Sequence, residues 1–552
     1  MLQINAGTTL AFHGRVAVAT LDFPPVNAMS PDLMEGLALA IDQALATPDV
    51  GAIILICEGR TFIAGADLKS LGKVKPRIDF AALQDRIDAA SAVTIAAIHG
   101  TALGGGLETA MTFQHRIAVP SARFGLPEVK LGLLPGGGGT QRLPRLIGAE
   151  AALDVMIGGD QIRIDEAVRI GLVDRVAREG HLLADAIAFA EELIAAGAPR
   201  RRIRDIDDRI AADRADPDLF ARYRASRSAS LGSVAAPAAI IRCVEAAVAG
   251  DWAAGLAVER AEFAVLRDGS QSAALRHLFM AERAAQKLPG INGSAVPPIV
   301  SVDVAAHRAL AVAVAAAGLG GGAAGTPADL ILLDPSPAGQ PPGGIAPSTI
   351  VAVADMGRAA VFPADRCVAL RAHRDAADRL AFLEIAPLDA SDETLARLVA
   401  FARRIGVPVA ILQDGAGFVS DRLIASLEQA AAAARGDGGS TEAVDRALAA
   451  FGIDRGVAPA PDETTATAAV RDAMLFPIVN AAFAAIDDGR VSRGSDIDLL
   501  ATRGLFWPPH RGGPIWYAGH VGADTVVAGL RARGIAPARA LVAAAAGQEQ
   551  PA

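Results

Sequence analysis

The segment Ala102-Leu103-Gly104-Gly105-Gly106-Leu107-Glu108 follows the apolar run Val93-Thr94-Ile95-Ala96-Ala97-Ile98 after a short turn at Gly100. The run predicts a buried strand, and Gly104 to Met111 predicts a glycine turn opening into a helix. Such a junction aims backbone N–H groups and a positive dipole end at whatever lies in front of it. Segments of the same kind lie on either side. Upstream is Phe62-Ile63-Ala64-Gly65-Ala66-Asp67-Leu68-Lys69. Downstream, Gly125-Leu126-Pro127-Glu128-Val129-Lys130-Leu131-Gly132 precedes the loop Pro135-Gly136-Gly137-Gly138-Gly139. Glu108 and Glu128 are therefore a candidate acid/base pair in surroundings where backbone donors can approach a ligand closely.

Strand and helix signals alternate around these segments. Val16 to Leu21 and Gly51 to Ile56 predict buried strands. Between them, Ser30-Pro31-Asp32 predicts a helix start, with Ser as the cap and Pro in the first turn. Near residue 195 the texture changes to the charged run Arg200-Arg201-Arg202-Ile203-Arg204-Asp205, and helical patterns then continue to residue 288. A strand is expected at Ile299-Val300-Ser301-Val302. Residues 318 to 347 are dominated by Gly, Pro, Ala and Ser, and helices are expected again from 390 to about 545.

A chain of 552 residues exceeds one core and predicts several units. Its net charge of −9, with both signs interspersed, argues against a nucleic-acid footprint. Three widely spaced cysteines, Cys57, Cys243 and Cys367, form neither a metal motif nor a disulfide framework. The apolar run Ala309 to Ala324 is too short and too weakly hydrophobic to span a bilayer. A cytoplasmic enzyme without membrane contact is the expectation. His99 and His115 flank the glycine segments and are expected to be structural.

The segments Pro25-Val26-Asn27-Ala28-Met29-Ser30, Ala64 to Asp67, Ala102 to Glu108 and Pro127 to Gly136, extended by Gly139-Thr140-Gln141-Arg142-Leu143-Pro144-Arg145, resemble the enoyl-CoA hydratase/isomerase (crotonase) family. The match runs over roughly residues 10 to 190. It implies an α/β fold of the crotonase ββα spiral type over residues 1–195, and an acyl-CoA thioester as substrate. By this resemblance Glu108 and Glu128 are the catalytic pair. Glu128 handles the proton at C2 and Glu108 orients water. The amides of Ala66 and Gly105 would form the oxyanion hole, at roughly 3 kcal/mol per donor. Ala64, Asp67, Leu68, Lys69, Gly104 and Gly136 would border substrate or coenzyme A. No metal and no cofactor beyond the substrate's own coenzyme A is expected.

The rest of the chain resembles the multifunctional beta-oxidation enzymes, in which a crotonase domain is joined to an L-3-hydroxyacyl-CoA dehydrogenase. A helical linker is expected over 196–290, and a shortened, degenerate Rossmann-like α/β domain over 291–388. All-α dehydrogenase-type domains are expected over 389–470 and 471–552. The dinucleotide glycines are replaced by Val302, Val304 and His307, and branched side chains there obstruct the phosphate turn. His373 with Glu384 could form a base and its orienting carboxylate only after a shift in register. Asp421 stands where the family has asparagine. These departures predict an inactive dehydrogenase half that does not use NAD.

The resemblance implies hydration of a 2-trans-enoyl-CoA to a 3-hydroxyacyl-CoA. The competing readings are Δ3,Δ2-enoyl-CoA isomerisation, a bifunctional hydratase/dehydrogenase, and a non-catalytic acyl-CoA-binding scaffold working with a thiolase. Monomer and homodimer remain open.

Overall fold

Continuous apolar runs build the first sheet, because strands covered on both faces need no alternation. Among the described residues, ten strands precede residue 180: β1 (Leu2–Asn5), β2 (Thr8–His13), β3 (Val16–Leu21), β4 (Ala52–Cys57), β5 (Val93–Ile98), β6 (Thr101–Leu103), β7 (His115–Ala118), β8 (Arg123–Gly125), β9 (Ile162–Arg163) and β10 (Arg175–Val176). Seven of them form a sheet in the order β1-β2-β3-β4-β5-β7-β10, and β6, β8 and β9 form a second, small sheet. Every residue of β3 and β4 except Thr20 and Ile56 is buried. The first hairpins are antiparallel, whereas β3, β4, β5, β7 and β10 pair in parallel.

The computed structural model describes all residues except 68–76, 288–295, 304–307, 320–327, 334–345, 347, 355–361, 376, 414–416, 437–439, 455–464 and 549–552. The expectations for Leu68, Lys69, Val304 and His307 fall outside the described residues.

The chain divides into two compact units, Met1–Ser272 and Ala273–Ala552. In the first, helix α1 (Pro31–Ala46) starts as the sequence predicts. Ser30 caps it by accepting a hydrogen bond from the Leu33 amide at 3.2 Å, and Pro31 opens it. Its buried Leu33, Leu37, Ala40, Ile41 and Ala44 follow the helical period. The other helices around the site are α2 (Phe80–Ala89), α3 (Gly105–Thr112) and α4 (Gly139–Ile147). Of the helices expected as a linker, those up to Asp268 belong to this unit, whereas the last, Ser270–Ala285, lies from Ala273 onward in the second unit. Ala235–Ala249 and Trp252–Asp268 both pack on α4.

The loop before the small sheet is tied down by Asn27. Its Oδ1 accepts from the Phe23 amide at 2.7 Å, and its Nδ2 donates to the carbonyls of Glu58 and Thr61 at 2.9 Å each. Leu103 then donates to the Ile63 carbonyl at 3.1 Å, which lays the segment Ile63–Ala66 beside the end of β6. This contact is close enough to exclude a side chain at the next turn. A Cβ at Gly106 would stand 2.0 Å from the Ile63 carbonyl oxygen.

The second unit carries a sheet of β11 (Val302–Asp303), β12 (Leu330–Leu333), β13 (Ile350–Val353), β14 (Cys367–Arg374), β15 (Leu380–Ala386) and β16 (Val409–Ile411), in that order. Only the β14/β15 pair is antiparallel. The helical region expected from 390 onward is thus interrupted by the three-residue strand β16. Its helix Thr465–Asp487 contains a stretch, Ala468–Asp487, that is long and apolar enough to cross a membrane by length and composition. That stretch, rather than 309–324, is the most membrane-like part of the described chain. Its Met474, Leu475, Ile478, Val479 and Ala482 nevertheless lie inside the second unit's core.

Gly106→Ala should lower the first unit's unfolding free energy by about 2–3 kcal/mol, since the added methyl meets backbone and not a flexible side chain. Denaturant titration of the purified variant measures this, and an unchanged midpoint would contradict it.

Candidate active site

Register places the two glutamates. Strands β6 and β8 pair in parallel, with Leu103 opposite Gly125, and the Gly104 amide extends the ladder to the Gly125 carbonyl at 2.9 Å. Both chains therefore leave the small sheet at the same edge. One enters α3 and carries Glu108 in its first turn. The other enters a 3-10 turn, Pro127–Leu131, and carries Glu128. Gly104 sits between them with φ of +53°, and a Cβ there would stand 2.7 Å from Glu128 Oε1.

Glu108 is 3% exposed. Its Oε1 accepts hydrogen bonds from the Gly137 and Gly139 amides at 2.7 and 2.8 Å. Burial raises its pKa, and these two amides together with the Arg142 charge oppose the rise. Glu128 lacks such support. Its Oε2 is buried and has no hydrogen-bond partner among the described residues. Burial first, then the charges of Glu108 and Glu259, push its pKa well above the carboxylate range. The two carboxyls thus sit in environments that separate their proton affinities.

The third carboxyl had no sequence signal. Glu259, on the helix Trp252–Asp268, is 1% exposed. Its Oε1 accepts from the Gly138 amide at 2.7 Å, and its Oε2 accepts from the Thr140 amide at 3.2 Å and the Thr140 hydroxyl at 2.5 Å. Burial and the Glu108 charge push its pKa up to about 8, against the Thr140, Gly138 and Arg142 contributions. Nothing near residue 259 resembles a motif, and only the packing of that helix on α4 brings it to the glycine loop.

Positive charge is supplied by Arg142, which is buried and pairs with buried Asp88 at 3.2 Å. Its guanidinium lies 4.9 Å from the Trp252 ring centre. Gln84 donates to the Gly137 carbonyl, so the loop is held from α2 as well. A cleft of about 60 Å³ lies beside the loop, lined by Phe80, Gln84, Arg142, Leu256 and Glu259 among others. A larger cavity, about 340 Å³, is lined by His115, the run Ala198 to Arg202, Asp205 and Ile206, and includes none of the glutamates. The carboxylate cluster is the better marker of chemistry, because size alone supplies no reactive groups. His115 packs edge-on against Phe189 and His99 approaches the Gly59 carbonyl.

The segment that carries Ala66 lies against the junction before Gly105: a Cβ at Gly65 would stand 3.3 Å from the Leu103 carbonyl oxygen, and one at Gly104 3.8 Å from Gly65 Cα. Ala66 bridges Met29 across the segment, and among the described residues neither the Ala66 nor the Gly105 amide has an acceptor. Ala64 donates to the Val26 carbonyl at 3.3 Å. Gly136 faces Phe263, whose ring would be 2.5 Å from a Cβ at that glycine. Asp67 lies at the edge of the described segment. Among the described residues no group of histidine, cysteine and acidic side chains could hold a metal.

Residues 11–226 match the family profile described as Enoyl-CoA hydratase/isomerase. Over these residues the chain is similar to the enoyl-CoA hydratase/isomerase family. A peroxisomal bifunctional enzyme of Danio rerio is 36% identical over 49% of this chain and 37% of its own length. The glyoxysomal fatty acid beta-oxidation multifunctional protein MFP-a of Cucumis sativus is 34% identical over 51% of this chain and 40% of its own. The matched region thus spans about two fifths of these relatives. The fatty acid oxidation complex subunit alpha of Shewanella sp. (strain MR-4) is 27% identical over 93% of this chain and 94% of its own length. A solved enoyl-CoA hydratase chain from Geobacillus kaustophilus is 28% identical over 53% of this chain and all of its own, with a TM-score of 0.33.

In the second unit the structure joins His373 and Glu384. They are diagonal neighbours across β14 and β15, because Arg371 pairs with Glu384 and His373 with Phe382. His373 Nε2 lies 3.1 Å from Glu384 Oε2, and the ladder shifts register just beyond it, between His373 and Arg374. Glu384 is fully buried and also accepts from the Val419 amide at 2.7 Å and the Ser420 hydroxyl at 2.6 Å. Val302 is buried on β11, and Asp421 pairs with Arg371 at 2.5 Å instead of joining the dyad.

The raised pKa of Glu259 has a thermodynamic sign. The unfolded chain releases this proton near pH 4.5, whereas the folded chain holds it to about 8. Its contribution is complete at low pH and is lost as pH rises through that window, at up to about 1.4 kcal/mol per pH unit. Glu259→Gln should therefore gain on the parent protein as the pH of the denaturation series is raised from about 5 to about 8. A constant difference in unfolding free energy would contradict the assignment.

Proposed function

We propose that the first unit hydrates 2-trans-enoyl-CoA thioesters, adding water at C3 and a proton at C2. The observation that carries this reading is the emergence of Glu108 and Glu128 from one edge of the small sheet, beside the Ala66 and Gly105 amides. Attack of water at C3 builds negative charge on the thioester oxygen, and two amides without acceptors suit that charge. Glu108, held by two amides near Arg142, is better able than Glu128 to carry the carboxylate. It takes a proton from water as the oxygen bonds to C3. Glu128, with an unpartnered buried oxygen, has the environment that favours a carboxylic acid, and it delivers its proton to C2. Proton exchange with solvent restores the pair. The family of residues 11–226 and the printed names of the relatives support an acyl-CoA substrate.

Glu108→Gln and Glu128→Gln should each lower kcat on crotonyl-CoA by about 10²–10⁴-fold. Loss of the enoyl absorbance measures this. The reading fails if crotonyl-CoA is untouched while a 3-enoyl-CoA is isomerised.

We further read the second unit as independent of NAD. The support is chemical: Val302 fills a buried strand position where the dinucleotide turn would need a glycine, and Asp421 is engaged by Arg371. NAD should leave the melting temperature unchanged, and no NADH should form from 3-hydroxybutyryl-CoA. A rise in melting temperature or any NADH would refute this.

A further inference from the structure

The glycine loop is shared between two carboxylates in strict alternation. Gly137 and Gly139 donate to Glu108, while Gly138 and Thr140 donate to Glu259. Successive amides of an extended or turning chain point to opposite sides, so each carboxylate fixes the orientation in which its neighbour's donors must point. Glu259 is delivered by one face of the helix Trp252–Asp268. Leu256, Glu259 and Phe263 lie three and four residues apart on it, and all meet the Gly136–Thr140 loop. The helix can come this close because a small residue faces α4: a Cβ at Gly255 would stand 2.0 Å from Gln141 Oε1. Asp251 starts the helix by accepting from the Ala254 amide at 2.8 Å.

We infer that Glu259 is a positioning residue for the reaction of Glu108, holding the Gly138 and Thr140 amides so that the Gly137 and Gly139 amides lock the Glu108 carboxylate in its water-orienting pose. Glu259 lies outside the family match at 11–226, so the helical extension supplies part of the active site. A buried carboxyl here is costly unless it is hydrogen-bonded, and all its bonds go to this one loop. A surface or packing role would be met more cheaply by an apolar residue at the same place. The titratable and polar groups that interact with Glu259 are Glu108, Glu128, Arg142, Thr140 and the Cys243 thiol from the neighbouring helix.

The kinetic arm of this inference rests on the hydratase reading above. In full-length protein, Glu259→Gln keeps the side-chain shape and one acceptor for Gly138, but turns an amide group toward the Thr140 N–H. Its kcat on crotonyl-CoA should fall about 10-fold and that of Glu259→Ala about 100-fold, each with KM within twofold. Because Glu259 acts through Glu108, adding Glu259→Gln to Glu108→Gln should change kcat by less than twofold. Hydrogen–deuterium exchange of the peptide covering Pro135–Arg142 should quicken in both Glu259 variants. A Glu259→Gln protein with wild-type kcat overturns the inference, whatever happens to the alanine variant. So does a loss that appears in KM, or one that adds in full to the Glu108 effect. If the wild-type protein itself hydrates no enoyl-CoA, the functional reading falls separately. The exchange experiment then decides alone, and unchanged exchange overturns the role of Glu259.

Discussion

Four consecutive backbone amides, from Gly137 to Thr140, hold two buried carboxyl groups, and the remainder of the site is arranged around that constraint. Water cannot reach these groups in bulk, so the amides must do the work of solvation. The result is a group of acids with unequal proton affinities within one low-dielectric pocket. For Glu108 the donors and Arg142 offset part of the cost of burying the anion, whereas Glu128 keeps an oxygen with no donor. Unequal solvation by backbone, more than any property of glutamate itself, separates the acid from the base.

Local signals in the sequence were enough for the parts of the fold made by contiguous residues. The strands at Val16–Leu21 and Val93–Ile98, the Ser30 cap and the glycine entry to α3 all follow from apolar runs and capping chemistry within a few residues. The relation between Glu108 and Glu128 was legible as a motif, and its physical basis is the in-register pairing of β6 with β8. Glu259 was not legible because its role depends on helix packing across more than a hundred residues of chain. A glutamate on an amphipathic helix ordinarily faces water. Strand β16 was missed because three residues carry too little pattern. The apolar stretch 468–487 was passed over because Arg471, Asp472 and Pro477 interrupt it.

The second unit teaches the same lesson from the opposite side. His373 and Glu384 are separated along the chain, and the β14/β15 register sets them diagonally across the sheet. Spacing along a sequence converts to distance only once the strand pairing is known. Asp421 and its neighbour Ser420 both accept from Arg371, and Ser420 alone of the two donates on to Glu384.

The distance in sequence between Glu108 and Glu259 also has a meaning in time. During synthesis the small sheet, α3 and the glycine loop emerge well before the helix that completes them. At about 5–20 residues per second, the intervening chain takes roughly 8–30 s to make. Through that interval Glu108 and the loop amides stand without their counterpart, and half the loop's donors are left to solvent. Whatever structure the nascent domain has by then, its pocket is chemically unfinished, and it is sealed only by a later arrival.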